Sequence, residues 1–190
     1  MIPYVELDRN QTYYLMFINA GRTATLDNAS SQLMRFPMHE ITDFMTRDHR
    51  LCDDCLVAVE QAIVNGAWEL AGTEFIRFRD ALLYHFLAEE SVLFPRFEQR
   101  TGMSLGPTQV MRSEHVQMRQ LLAAAEAALA DRDADEYAGH AETLLIMMQQ
   151  HNVKEENVLY PMCDQQLADQ LLELLPELQK QLATGGKVAA

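Results

Sequence analysis

A histidine and a glutamate sit four residues apart in an otherwise apolar stretch, HFLAEESVLFP at 85–95, and the pattern returns as HNVKEENVLYP at 151–161. Six of the eleven positions are identical, and the offset is 66 residues. The same offset carries His49 to His115, and the acid before each, Asp48, to Glu114. On a helix, side chains four apart point the same way with Cβ atoms about 6 Å apart, so His85 with Glu89, and His151 with Glu155, each form a two-toothed donor. Two such copies packed about an approximate two-fold axis would converge four imidazoles and two carboxylates at mid-molecule. Burying two carboxylates without counter-charge is costly, and no lysine lies on these stripes. Two metal cations are the economical explanation. Imidazole and carboxylate without thiolate favour iron, with manganese or zinc as alternatives. A carboxylate shared by two ions also sets them at the short separation that supports small-molecule or oxygen chemistry.

Helices must position these groups. From Glu40 onward, Ile41, Met45, His49, Cys52, Leu56, Val59 and Ile63 recur at spacings of three and four and define an inward stripe that ends at Asn65-Gly66. A second stripe runs through Phe75, Phe78, Leu82, His85, Glu89 and Val92, and Pro95 stops or kinks it. TGMSLGP reads as a loop whose proline opens a third helix with Met111, His115, Met118, Leu122 and Ala125 inward. After a break at Asp131 to Asp135, the fourth stripe holds Tyr137, Ala141, Leu144, Met148, His151, Glu155 and Val158, closed by Pro161. This pattern predicts an all-α fold: an antiparallel up-down-up-down four-helix bundle built from two helix-pair repeats, with a short C-terminal helix over Leu167 to Leu182 laid on it. The expected divisions are an arm at 1–37, a di-metal bundle at 38–164, and a C-terminal helix and tail at 165–190. The arm lacks the helical period; TYYLMFINA suits a strand or a packed arm, and Met38 suits a start residue.

Bulk properties exclude several functions. Fifteen basic against 28 acidic residues leave a formal charge of −13, and no Lys/Arg-rich run interrupts it, so nucleic acid and anionic membrane are poor partners. No apolar run reaches the roughly 18 to 20 residues of a membrane span, and no secretory signal opens the chain, which predicts a cytoplasmic protein. Three cysteines fit reduced thiols better than a disulfide scaffold.

The duplicated H-x-x-x-E-E-x-V-L-[FY]-P, together with Asp48-His49 and Glu114-His115, resembles the hemerythrin family in its bacterial His-His-Glu form, over about residues 40 to 162. The resemblance implies a four-helix bundle around an oxo-bridged non-haem di-iron centre. It makes His49, His85, His115 and His151 terminal ligands and Glu89 and Glu155 the bridging carboxylates. One departure matters. Oxygen-carrying hemerythrins place a second histidine four residues on in the third helix, where this chain has Arg119. The carboxylate on their fourth helix also lies five residues after its histidine. A site with two histidines per metal is similar to the iron-centre repair branch. The expected role is binding of a small gas, oxygen or nitric oxide, for sensing, scavenging or storage. Two alternatives stand beside it: an iron donor acting through a protein partner, and a nitric oxide or peroxide oxidoreductase. Repair proteins usually carry a cysteine-bearing N-terminal module, and residues 1–37 contain no cysteine.

Other suggestive residues have plainer readings. His39 and His140 lie too far along their helices from the ligand histidines and read as surface or packing residues. Glu90 and Glu156 point about 100° from the ligand glutamates and read as solvated or as partners of the ligands. Cys52-x-x-Cys55 lies within a helix rather than at a βα turn, and it reads as packing, as do Met111, Met118, Met147 and Met148. Arg119 shares a face with His115, where it suits a bridging carboxylate, an exogenous ligand or a surface ion pair. No Glu-x-x-His, zinc-protease pair or phosphate-binding glycine loop is present.

Overall fold

The computed structural model describes residues 39–185, and among them there is helix and no strand. The expectations for residues 1–37, for Met38 and for the tail beyond Gly185 lie outside the described residues. The helices are α1 (Glu40–Val64), α2 (Trp68–Ala88), α3 (Phe94–Thr101), α4 (Pro107–Ala130), α5 (Ala134–Lys154), α6 (Tyr160–Gln166) and α7 (Leu171–Gly185). A π-helical turn joins α2 to α3 at Glu89–Leu93, and another joins α5 to α6 at Glu155–Leu159. Helix α1 packs along α2 and α4 along α5, while α1 meets α6 and α2 meets both α4 and α7.

The periodic stripes are buried as their spacing requires. Ile41, Met45, His49, Cys52, Leu56 and Val59 face inward on α1, and Asn65-Gly66 ends that helix with Gly66 at φ 68°, a conformation that favours glycine. Two apolar cores result. One gathers Leu56, Val59, Phe75, Phe78, Leu82, Leu122, Leu144 and Met148; the other gathers Ile41, Met45, Leu93, Phe94, Phe97, Met111, Leu159 and Tyr160 with Leu171, Leu174 and Leu178 of α7. Each fully buried Leu, Ile or Phe contributes about 1.5–3 kcal/mol. The six metal-ligand candidates occupy the layer between these cores: His49 lies one turn from Met45 on one side and from Cys52 on the other.

Two details differ from the periodicity. Pro95 and Pro161 do not stop their helices, because each follows a π-helical turn whose extra residue makes room for a ring that would otherwise press on the carbonyl four residues back. That extra residue also shifts the inward face, so Val158 is 53% exposed and Leu159, at 1%, takes the buried place.

The 66-residue offset extends to the helix ends. Helix α1 has no side-chain cap of its own; Asp164 on α6 supplies one, accepting from Ile41 N at 2.8 Å, Thr42 N at 3.2 Å and Thr42 Oγ1 at 2.6 Å. The counterparts of Thr42 and Asp164 are Thr108 and Glu98, and Thr108 Oγ1 donates to Glu98 Oε1 at 2.6 Å.

Candidate metal centre

His49 projects from the middle of α1 and His115 from the middle of α4. His85 and His151 stand in the last turns of α2 and α5, four residues before Glu89 and Glu155, which open the two π-helical turns. All six side chains are buried. The structure brings them into two adjoining sets, His49 with His85 and Glu155, and His115 with His151, Glu89 and Glu155. These sets define a first position (His49/His85) and a second position (His115/His151).

The imidazoles meet in pairs. Nε2 of His49 lies 3.0 Å from Nε2 of His85, and Nε2 of His115 lies 3.1 Å from Nε2 of His151. Each Nδ1 is turned to a carboxylate: Glu156 at 2.8 Å for His49, Asp48 at 2.8 Å for His85, Glu90 at 2.8 Å for His115 and Glu114 at 2.9 Å for His151. Such partners keep the ring proton on Nδ1 and leave the Nε2 lone pair pointing inward. Two lone pairs at this distance repel unless a proton or a metal cation lies between them. Adjacent nitrogens on one first-row ion have this spacing, since bonds of about 2.1 Å at right angles separate the donors by about 3.0 Å.

The carboxylates complete the set. Glu155 reaches both pairs, with Oε2 3.2 Å from His49 Nε2 and Oε1 3.1 Å from His151 Nε2. Glu89 Oε2 lies 3.3 Å from His115 Nε2 and 3.5 Å from His85 Nε2. Glu89 Oε2 and Glu155 Oε1 sit at ion-pair distance from these nitrogens, yet among the described residues both are buried without a hydrogen-bond partner. A buried carboxylate oxygen with no donor is the atom a metal ion would satisfy. The donor set therefore fits a metal site.

Protons can fill part of the same role. Burial opposes charging His49 and His115, yet Glu155 and Glu156 around the first, and Glu89 and Glu90 around the second, push both up to about 9. Against its own burial, Glu155 is held well below the usual carboxylate range by His151 and His49.

Several contributors named in the sequence acquire definite partners here, and Tyr160 joins them unannounced. Asp48 and Glu114 hold His85 and His151 across the helix pairs, and their agreement with the 66-residue offset was the available signal. Of the two readings of Glu90 and Glu156, the structure favours partners of the histidines: they grip His115 and His49. Arg119 bonds to Glu90 at 3.0 and 2.9 Å and to neither Glu89 nor Glu155. Tyr160 enters the first position, where its hydroxyl donates to Glu89 Oε1 at 2.7 Å and lies 3.1 Å from His49 Nε2. Its counterpart Phe94 has no hydroxyl and stacks on His115 with ring centres 6.0 Å apart.

The remaining residues keep clear of the centre. His39 is mostly exposed, 3.8 Å from Asp164, and His140 pairs with Glu136 at 3.2 Å. Cys52 is buried and Cys55 half-buried, both free thiols, and burial pushes both thiol pKa values up, away from redox reactivity.

A family model described as the hemerythrin HHE cation binding domain matches residues 36–163. The chain belongs to the hemerythrin HHE family. Comparison with the curated proteins and with the solved structures finds no match. The hemerythrin domain implies a cation, iron above all, and the buried His/Glu cluster of this chain suits one. Among the described residues no helix is long and apolar enough to cross a membrane.

Proposed function

We propose that this hemerythrin domain holds two iron ions between its helix pairs and binds a small gas, oxygen or nitric oxide, there. In this reading α1, α2, α4 and α5 form an antiparallel up-down-up-down bundle, and residues 38–164 are the di-metal unit. His49 and His85 hold one ion, His115 and His151 the other, with Glu89 and Glu155 shared. The observation that carries it is the meeting of four carboxylate-held imidazoles, Nε2 to Nε2, around two buried glutamates. When bound, a pair of irons supplies coordination positions and electrons to a diatomic ligand.

The chain's own groups have definable tasks. Asp48, Glu90, Glu114 and Glu156 fix the tautomer and aim of each imidazole. Phe86, stacked on His115 with ring centres 4.0 Å apart, and Phe94 exclude water from the second position. Tyr160 holds a proton on its hydroxyl between Glu89 and Glu155, where burial and those two carboxylates keep it well above the usual phenol range. Arg119 is engaged with Glu90 and leaves the ligands to the histidines and glutamates.

Metal analysis with optical spectra tests this reading. Two irons per chain are expected, with a spectrum that changes on adding nitric oxide or azide. A single tightly held zinc, or identical spectra with and without both ligands in both redox states, would refute it.

A further inference from the structure

The repeat is faithful at the six central donors and at the four carboxylates behind them, and it fails at the charges behind those. Arg119 clamps Glu90, and Lys154 pairs with Glu114, so both carboxylates serving the second position carry a cation. Sixty-six residues earlier stand Asp53 and Ala88. Asp53 stands one helical turn after His49 on α1, so both side chains point the same way, and its Oδ1 is buried without a hydrogen-bond partner. Arg77, which lines the same groove as Asp48, is paired with Glu74 at 2.8 Å. At these repeat-related places the first position has one acid more and two bases fewer than the second.

The walls differ in the same sense. His115 lies between Phe86 and Phe94, with ring centres 4.0 and 6.0 Å away. His49 stacks on Tyr160 at 5.7 Å, whose hydroxyl adds a hard oxygen that phenylalanine lacks, and the counterpart of Phe86 is Asn152.

We propose that the two metal positions are sorted by charge: the His49/His85 position, beside Asp53 and the Tyr160 hydroxyl, takes the trivalent ion of a mixed pair, and the His115/His151 position, backed by Arg119 and Lys154, takes the divalent one. The proposal rests on the metal reading above and deepens it. An extra positive charge is favoured where acids outnumber bases, and hard oxygen donors suit the more highly charged ion. Arg119 and Lys154 are partly exposed, so solvent screens them, and a preference on the order of tenfold is expected.

The test is placement of two distinguishable ions. The full chain, stripped of metal, is loaded aerobically with equal iron and zinc, so that iron is trivalent and zinc divalent, and anomalous diffraction at the two absorption edges locates each. Iron is expected between His49 and His85 with zinc between His115 and His151, by about tenfold or more. In the Arg119→Gln/Lys154→Gln variant the preference should fall towards parity, and Asp53→Asn, which removes one charge from the other side, should narrow it separately. Both ions bound in even mixture, the reverse placement, or both variants sorting like the parent would overturn the proposal while leaving the metal reading intact. A chain that takes up neither ion at this cluster would overturn both.

Discussion

Nε2 of His49 and Nε2 of His85 face each other at 3.0 Å while Glu156 and Asp48 hold the opposite nitrogen of each ring. His115 and His151 repeat the relationship with Glu90 and Glu114. Rings held from behind with their inner nitrogens turned to each other are preorganised to share a cation, a proton in the stripped protein or a metal ion in its place.

The two adjacent glutamates of each motif should therefore separate by function. Glu89→Ala removes a carboxylate from between both histidine pairs, and metal content per folded chain should collapse. Glu90→Ala removes the partner of His115 Nδ1 and should weaken binding by about 10- to 100-fold without abolishing it. His85→Ala should behave like Glu89→Ala, and His140→Ala should leave metal content unchanged. Helicity serves as the control for folding. Were Glu90→Ala to empty the site while Glu89→Ala left it full, the facing of this helix end would be wrong.

Metal binding should release protons. His49 and His115 are raised from 6.5 to about 9, so in protein stripped of metal their charged forms contribute stability that is fully present below pH 6.5 and lost as pH rises through about 9. An ion needs the neutral rings and must displace those protons. Its affinity should rise with pH across the same window, by about tenfold per pH unit for each proton displaced. Chelator competition at several pH values within the window measures it, and a flat profile would contradict the assignment of these rings as ligands.

Tyr160→Phe gives the second repeat the residue that the first has at position 94. The chain should fold and still take up two ions. Glu89 Oε1 and Glu155 Oε2 lose the single hydroxyl proton they share at 2.7 and 3.0 Å, so the stripped protein should lose about 1–3 kcal/mol in urea denaturation. The spectrum of the loaded protein should shift, since the hydroxyl adjoins His49 Nε2. Unchanged stability together with an unchanged spectrum would remove Tyr160 from the centre.

Asp164→Ala should destabilise the fold by about 1–3 kcal/mol, because the backbone N–H groups of Ile41 and Thr42 lose their side-chain cap. Asp164→Asn should recover part of that loss. Neither variant should alter metal content per folded chain, which separates this cap from the ligands.

The inward stripes and the six central donors were legible because helical period and the 66-residue offset are both local patterns, readable wherever the spacing is kept. Val158 was misplaced because a π-helical turn inserts a residue that no periodicity announces. The partnership of Asp164 with Thr42 spans 122 residues, and the link of Arg119 to Glu90 joins different helices, so each needed the packed fold to be seen. Asp48 and Glu114 obeyed the offset, yet sequence could not say that each would serve the histidine of the neighbouring helix rather than the one beside it. Tyr160 was hidden for the opposite reason: it is where the repeat breaks.

The two π-helical turns also act as clutches between the ends of their helices. Above each turn the rotational phase is set by His85 or His151 aiming at the centre; below it, by Phe94 and Phe97, or Leu159 and Tyr160, filling the lower core. The spare residue lets the two phases differ without breaking the helix. Deleting one residue from a turn, Ser91 or Asn157, would engage the clutch and rotate everything beyond it by about 100°. The histidines would keep their aim while the apolar side chains below swung out of the core. The aim of the histidines is thus set apart from most of the lower-core packing, and Phe94 and Tyr160, which belong to that core and also touch His115 and His49, are the links between the two.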